Sequence, residues 1–150
     1  IEQARQLFQE YAASLGFSLC FQGFDKELAG LPGDYAPPHG RLLLAEVDGQ
    51  VAGCAGLHPF GPSEDKTCEV KRLFVRPEFR GQQIGKQLMD AVLEAAREIG
   101  YRRMLLDTVS GTMDKAIAMY RQYEFREVES YRVNPMAGVV YMELALIPRS

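Results

Sequence analysis

The sequence predicts an α+β fold around a mixed sheet, and three observations carry that expectation. Asp48-Gly49 separates two apolar runs, the strongest short-range signal for a β-hairpin. A glycine-bearing loop, 76–83, joins a β-branched run to an amphipathic helical pattern. Beyond that helix the order is strand, helix, strand, strand, which does not fit the repeated βαβ order of a doubly wound sheet. No repeat, linker or low-complexity segment divides the 150 residues, so 1–150 is read as one domain, long enough to bury a core. Hydrophobic residues at 47% and charged residues at 25% place the chain among soluble globular proteins. A net charge of −3 without a long basic run argues against a nucleic-acid binder. There is no run of about 18 apolar residues to span a membrane, and no secretory signal pattern is visible. Cys20, Cys54 and Cys68 are odd in number and widely spaced, with neither zinc spacing nor a disulfide framework. They are expected as small buried residues in a reducing cytoplasm.

In residues 1–15, Ala4, Leu7, Phe8, Tyr11 and Leu15 share one helical stripe, with Glu2, Arg5, Gln9 and Glu10 elsewhere and Gly16 as the stop. Residues 17–22 can be extended, and 25–29 can form a short capped turn of helix. The stretch 30–40 is too rich in Pro and Gly for either element and reads as a surface loop. Arg41–Val47 and 50–57 are the two strands of the hairpin, with His58 and Pro59 ending the second. Gly53 and Gly56 inside that strand suggest a bulge or the close approach of another backbone. After a polar turn, Thr67–Val75 reads as a strand, stopped by Pro77. Ile84, Leu88, Ala91, Val92, Ala95 and Ile99 then recur at helical spacing, and Gly100 follows as a stop. Arg103–Val109 is the next strand, and Thr112 can cap a helix with Met113, Ala116, Ile117 and Tyr120 on one face. Residues 125–131 and 139–146 are the closing strands, flanking a turn-prone 134–138.

The loop before the central helix has a chemistry of its own. The first N–H groups of a helix lack intrahelical partners and stand at the positive end of its dipole. Glycines let backbone approach an anion, and Arg80 and Lys86 add two cations, a combination suited to a pyrophosphate. The plain alternative is an ordinary strand-to-helix turn. Arg80-Gly81-Gln82-Gln83-Ile84-Gly85 resembles the (Gln/Arg)-x-x-Gly-x-(Gly/Ala) acetyl-CoA loop of the GNAT N-acetyltransferases. It matches at Arg80 and Gly85 and departs at Gln83, where that family has a glycine; a glutamine there can still donate its backbone N–H if its φ is negative. A second stretch, from Ala116 through Tyr120 to Phe125, resembles the family pattern Ala-Ile-x-(Leu/Met)-Tyr-x-x-x-Gly-Phe. Glu124 replaces its glycine, and Met113 stands where many members have Asn.

The resemblance covers most of the chain and implies the GNAT-type acyl-CoA N-acyltransferase fold, a mixed, mostly antiparallel sheet with helices on both faces. The family usually places a strand ahead of the first helix, whereas this chain opens on the helix. The implied activity is transfer of an acetyl group from acetyl-CoA to a primary amine of a small molecule or amino acid, or to a protein terminus, by direct attack in a ternary complex. It calls for no metal, nucleic acid or membrane, and leaves room for a homodimer. By the same resemblance, the pantetheine arm pairs with backbone at Leu73, Phe74 and Val75. The pyrophosphate lies over Gly81, Gln82, Gln83, Ile84, Gly85 and Lys86, beside Arg80. Tyr120 stands where the family commonly has the general acid that protonates the thiolate, although its helix face also suits plain core packing.

The base is open among several residues. Glu69 matches a strand position from which several members use a Glu, yet a solvated carboxylate balancing Lys71 or Arg72 explains it equally. His58, an imidazole at a strand end, and Asp107 are further candidates. Lys71 and Arg72 could hold an acidic group of the acceptor, and Tyr131 and Asn134 could line its pocket, with 30–40 bordering that side. A non-catalytic acyl-CoA-binding or regulatory module on the same fold is the alternative, since fold does not fix function.

Overall fold

The computed structural model describes residues 2–15, 27, 29–109, 114–129 and 139–146. The expected strand over 17–22, the Thr112 cap, Cys20, Tyr131 and Asn134 lie outside the described residues, as does 25–29 apart from Glu27 and Ala29. In chain order the elements are α1 (Glu2–Leu15), β1 (Arg41–Val47), β2 (Gln50–Pro59), β3 (Thr67–Val75), α2 (Ile84–Ile99), β4 (Arg103–Val109), α3 (Asp114–Gln122), β5 (Arg126–Val128) and β6 (Val139–Ala145). The six strands among the described residues lie in the order β1-β2-β3-β4-β6-β5. Only β3 and β4 run parallel; every other neighbouring pair is antiparallel. The sheet is therefore mixed and mostly antiparallel, as expected.

Local chemistry accounts for these elements. Asp48 and Gly49 both take positive φ, 51° and 79°, the conformation a tight two-residue hairpin demands. β2 runs past the expected stop at Leu57, because His58 pairs with Glu69 and Pro59 with Cys68 across the ladder. Gly56 leaves room for an aromatic ring: a Cβ there would stand 2.5 Å from Cε1 of Tyr35. That ring belongs to the Pro- and Gly-rich stretch, which is not simply a surface loop, since it turns at Gly33–Tyr35 and buries Leu31 and Tyr35.

Helices cover both faces. Leu7 and Phe8 of α1 pack with Leu31, Tyr35, Cys54 and Phe74 on one face. On the other, Ile84, Leu88 and Val92 of α2 and Tyr120 of α3 pack with Leu57, Val70, Met104, Leu106 and Met142. Leu7 and Phe8 are wholly buried, so truncating either to Ala would cost about 2–5 kcal/mol.

Two irregularities shape the centre of the sheet. The register between β2 and β3 breaks, with Cys54 opposite Phe74 but Gly56 opposite Lys71, and Arg72 in the bulge has φ 60°. The extra residue lets Glu69 and Phe74 share the α1 face, although strict alternation would put them on opposite faces. The parallel ladder between β3 and β4 joins only Thr67 to Arg103, Cys68 to Met104 and Glu69 to Leu105. Beyond it β3 continues to Val75 and β4 to Val109 with no further pairing recorded between them. The sheet opens there like a V, with Glu69 at its vertex.

Candidate active site

At the open end of β3 the chain makes a short turn at Pro77–Phe79 and enters α2. Between this loop and α3 lies an open groove of about 380 Å³, lined by Arg80, Gly81, Gln83, Gly85 and Lys86 and walled by Met119. The segment singled out for its anion chemistry thus borders a concave surface. Gly81 has φ 88°, where a side chain is strained. Gly85 differs: a Cβ there would meet only Met119 Sδ and Val75 Cγ2, each at 3.8 Å. Among the described residues nothing forbids a side chain at Gly85, and the space it leaves open borders the groove. Gln83 does not keep the negative φ on which its N–H donation was conditional; it takes φ 61°, ψ 25° at the N-cap of α2. It adopts the conformation a glycine would take, at the strain cost of carrying a side chain. Arg80 is exposed and donates from Nε to the Val75 carbonyl at 3.2 Å.

The vertex side has the opposite character. Tyr120 is 5% exposed, and its ring lies 5.8 Å from that of Phe125. The end of α3 explains the hold. Phe125 N–H donates to Tyr120 O and Glu124 N–H to Arg121 O, with Glu124 at φ 73°, which is a Schellman stop. The ring contact is the apolar clasp that accompanies such a stop. Core packing is therefore one part of what Tyr120 does. Burial pushes its phenol above its ordinary range, and Tyr11 and Asp107 push it the same way. Tyr11 comes from α1, and Asp107 lies opposite Tyr141 in the ladder. The ring belongs to the α2 and α3 core, while the groups that shift its phenol come from α1 and from β4. Tyr11 itself lies 5.9 Å from the Phe74 ring, edge on, and loss of water raises its phenol to about 12.

Glu69 is not a solvated carboxylate: it is 0% exposed. Its oxygen stands 3.0 Å from His58 Nε2, so two candidates for the base form one pair. Arg72 is tied to a different carboxylate, that of Glu27. Its Nε and Nη2 donate to Glu27 at 2.9 and 3.0 Å, a two-pronged pair with the Arg72 side chain 2% exposed. Lys71 is likewise buried rather than part of a charged outer face. Tyr35 donates to Glu27, and burial together with that carboxylate raises its phenol. At the other end of β3, Arg76 grips Glu10 of α1 with Nε and Nη2 at 3.0 and 2.8 Å and donates to the Val51 carbonyl at 2.9 Å. Sequence reasoning missed Tyr11, Glu27 and Tyr35 as members of this cluster. The available signal was a hydroxyl-bearing ring on the apolar stripe of α1, and another within a loop otherwise made of turn residues.

Comparison with known proteins gives the family and the fold. The family model "Acetyltransferase (GNAT) family" matches residues 4–125. An N-acetyltransferase of Schizosaccharomyces pombe is 40% identical over 147 residues, which is 97% of this chain and 88% of that protein. A GNAT-family acetyltransferase structure from Staphylococcus aureus superposes with a TM-score of 0.79 at 19% identity, covering 98% of this chain and 96% of that one. A GNAT-family acetyltransferase from Elizabethkingia anophelis, solved with acetyl-CoA bound, gives a TM-score of 0.59 at 24% identity over 71% of this chain and 76% of its own. No helix among the described residues is long and apolar enough to cross a membrane.

Proposed function

This chain belongs to the GNAT family and is an acetyl-transferring enzyme, and we propose that it moves the acetyl group of acetyl-CoA to a primary amine of a small molecule or amino acid, by direct attack with both substrates bound. The observation that carries this reading is the V between β3 and β4, which has the open groove at the end of β3 and a buried tyrosine beside it. In it Leu73, Phe74 and Val75 offer backbone to the pantetheine arm. The loop from Arg80 to Lys86 holds the pyrophosphate with the free N–H groups of the first turn of α2, and Lys86 adds charge.

The chemistry then needs little from the protein beyond placement and protons, because the thioester is already activated. Tyr120 acts as general acid. Its raised phenol stays protonated at neutral pH, and a site dry enough to raise a phenol also makes the departing thiolate more basic. Glu69 acts as the base at the vertex, reaching the amine through water rather than by contact. Free, buried Cys54 and Cys68 suit a reducing compartment, in keeping with a cytoplasmic enzyme. The test is a screen of primary amines, from amino acids to polyamines, for acetyl-CoA-dependent release of free thiol. At least one amine should drive release well above the rate in buffer. A protein that binds acetyl-CoA yet acetylates none of them would overturn the reading.

A further inference from the structure

We propose that His58 is the route by which the proton taken from the acceptor amine leaves the protein, handed on from Glu69 to His58 and from there to solvent. The proposal rests on the acetyl-transfer reading above. An ammonium acceptor and acetyl-CoA yield an amide, a free thiol and one proton. The N–C bond forms and the C–S bond breaks; Tyr120 protonates the sulfur, one of the nitrogen's protons restores Tyr120, and the other must reach water. Glu69 cannot deliver it there alone, since it is 0% exposed. His58, directly across the ladder, retains 17% side-chain exposure and approaches Glu69 to 3.0 Å.

The ring is fixed for this task. His58 Nδ1 lies 2.8 Å from the Pro59 carbonyl, which can only accept, so Nδ1 carries a hydrogen. Nε2 is left facing a carboxylate oxygen, and a single proton serves both Nε2 and Glu69. Tyr35 stands edge-on to the imidazole at 5.6 Å, seated in the space that Gly56 leaves. Several groups near the pair are already engaged or hold their own proton. Glu27 and Arg72 are bound to each other, Tyr35 donates to Glu27, and the Cys68 thiol, pushed up by burial, stays protonated. Lys71, two rungs along the ladder, lies opposite Gly56. The pair can therefore take up a proton at the buried end and release one at the exposed end, with Nδ1 anchored all the while.

The experiment uses the full chain and the fastest amine found by the thiol-release screen. His58→Gln keeps an N–H donor for Glu69 and roughly the same volume, but it cannot accept and pass on a proton. Its turnover should fall about a hundredfold, the lower end of proton-transfer catalysis, with acetyl-CoA affinity and melting temperature held. His58→Ala should be as slow and should recover with added imidazole, in proportion to the imidazole concentration. Added imidazole should leave wild type and the Gln variant unchanged. A Gln variant at wild-type turnover means that His58 only positions Glu69, and the relay is overturned. An Ala variant that imidazole does not accelerate overturns it too. A wild type that acetylates no amine overturns the acetyl-transfer reading itself, which is a separate outcome.

Discussion

The groove at the start of α2 and the polar cluster at the vertex of the V are built on opposite plans. The groove is open and contiguous in sequence, with Arg80, Gly81, Gln83 and Lys86 exposed to water. The cluster draws Tyr11, Glu27, Tyr35, His58, Glu69, Arg72 and Asp107 from across the chain into a site that is mostly dry. A site that holds phosphates can use backbone and mobile surface cations, because charge at short range in water is enough. One that moves protons needs side chains fixed in a poorly solvated setting, where each field is felt strongly and each partner must be supplied. Substitutions in the two regions should therefore fail in different ways.

The largest effect is expected at Tyr120. Tyr120→Phe keeps the ring against Phe125 and removes only the hydroxyl, so turnover should fall by about 10²–10⁴-fold if that hydroxyl protonates the thiolate. The Michaelis constant for acetyl-CoA should barely move, since the ground state does not use the proton. Steady-state kinetics on any accepted amine decides it, and unchanged turnover would leave Tyr120 a core residue alone.

Alkaline pH should strike the cluster next. Cys54 is raised by burial from 9.0 to about 12 and Tyr11 from 10.0 to about 12. Each holds its proton more tightly folded than unfolded, so its stabilisation is complete below the unfolded value and is lost as pH rises through the folded one. Denaturant midpoints should hold to about pH 9 and then drop towards pH 12, with each such group contributing up to about 1.4 kcal/mol per pH unit. Tyr11→Phe should make the fall above pH 10 shallower. An equal slope in that variant would show that Tyr11 is solvated rather than enclosed.

How much of this was legible depended on the sequence distance over which each feature is decided. The hairpin turn at Asp48-Gly49, the strand Thr67–Val75 and the helix Ile84–Ile99 are set by neighbouring residues, and the sequence pattern has the bounds of that strand and helix right. The groove loop was legible for the same reason. The tie from Arg72 to Glu27 spans 45 positions, and nothing near either residue announces the other. The His58 and Glu69 pairing is intermediate: each residue stood out alone, and their meeting follows once the register of β2 on β3 is known. Tyr35 was hidden by its setting, because a loop of turn residues gives no sign that one ring within it is buried.

In the groove the expected failure is loss of ligand with the fold intact. Gly85→Val should place methyl groups where acetyl-CoA backbone contacts are proposed, costing about 1–3 kcal/mol, the usual price of overpacking, or roughly ten- to hundredfold in affinity. The protein itself should tolerate the change, since a Cβ at that position meets only Met119 and Val75 at 3.8 Å. Arg80→Ala should weaken binding less, because an exposed charge is screened. Calorimetry with acetyl-CoA reads both, and full affinity in the Val variant would remove this loop from the binding site.

The smallest effect is the one that tests the backbone. Gln83 and Glu124 are the two positions where the motifs lack the glycine of the resembled pattern, and both adopt positive φ, 61° and 73°. The fold has kept the glycine conformation and discarded the glycine. A left-handed residue with a side chain is strained by about 1–2 kcal/mol, while introducing glycine frees the unfolded chain by about 0.4–1 kcal/mol. Gln83→Gly and Glu124→Gly should then each gain up to about 1 kcal/mol, which is about 2–4 °C in melting temperature for a chain of this length. They should diverge in function. Glu124 lies at the stop of α3, so its change should alter stability alone. Gln83 caps α2 beside the groove, so its change should alter acetyl-CoA affinity as well if the N–H groups there bind phosphate. Paired melting and binding measurements separate the outcomes. A Gln83→Gly variant that is less stable than wild type would mean that the side chain makes contacts outweighing its strain, and equal affinity would mean that the cap does not face the ligand.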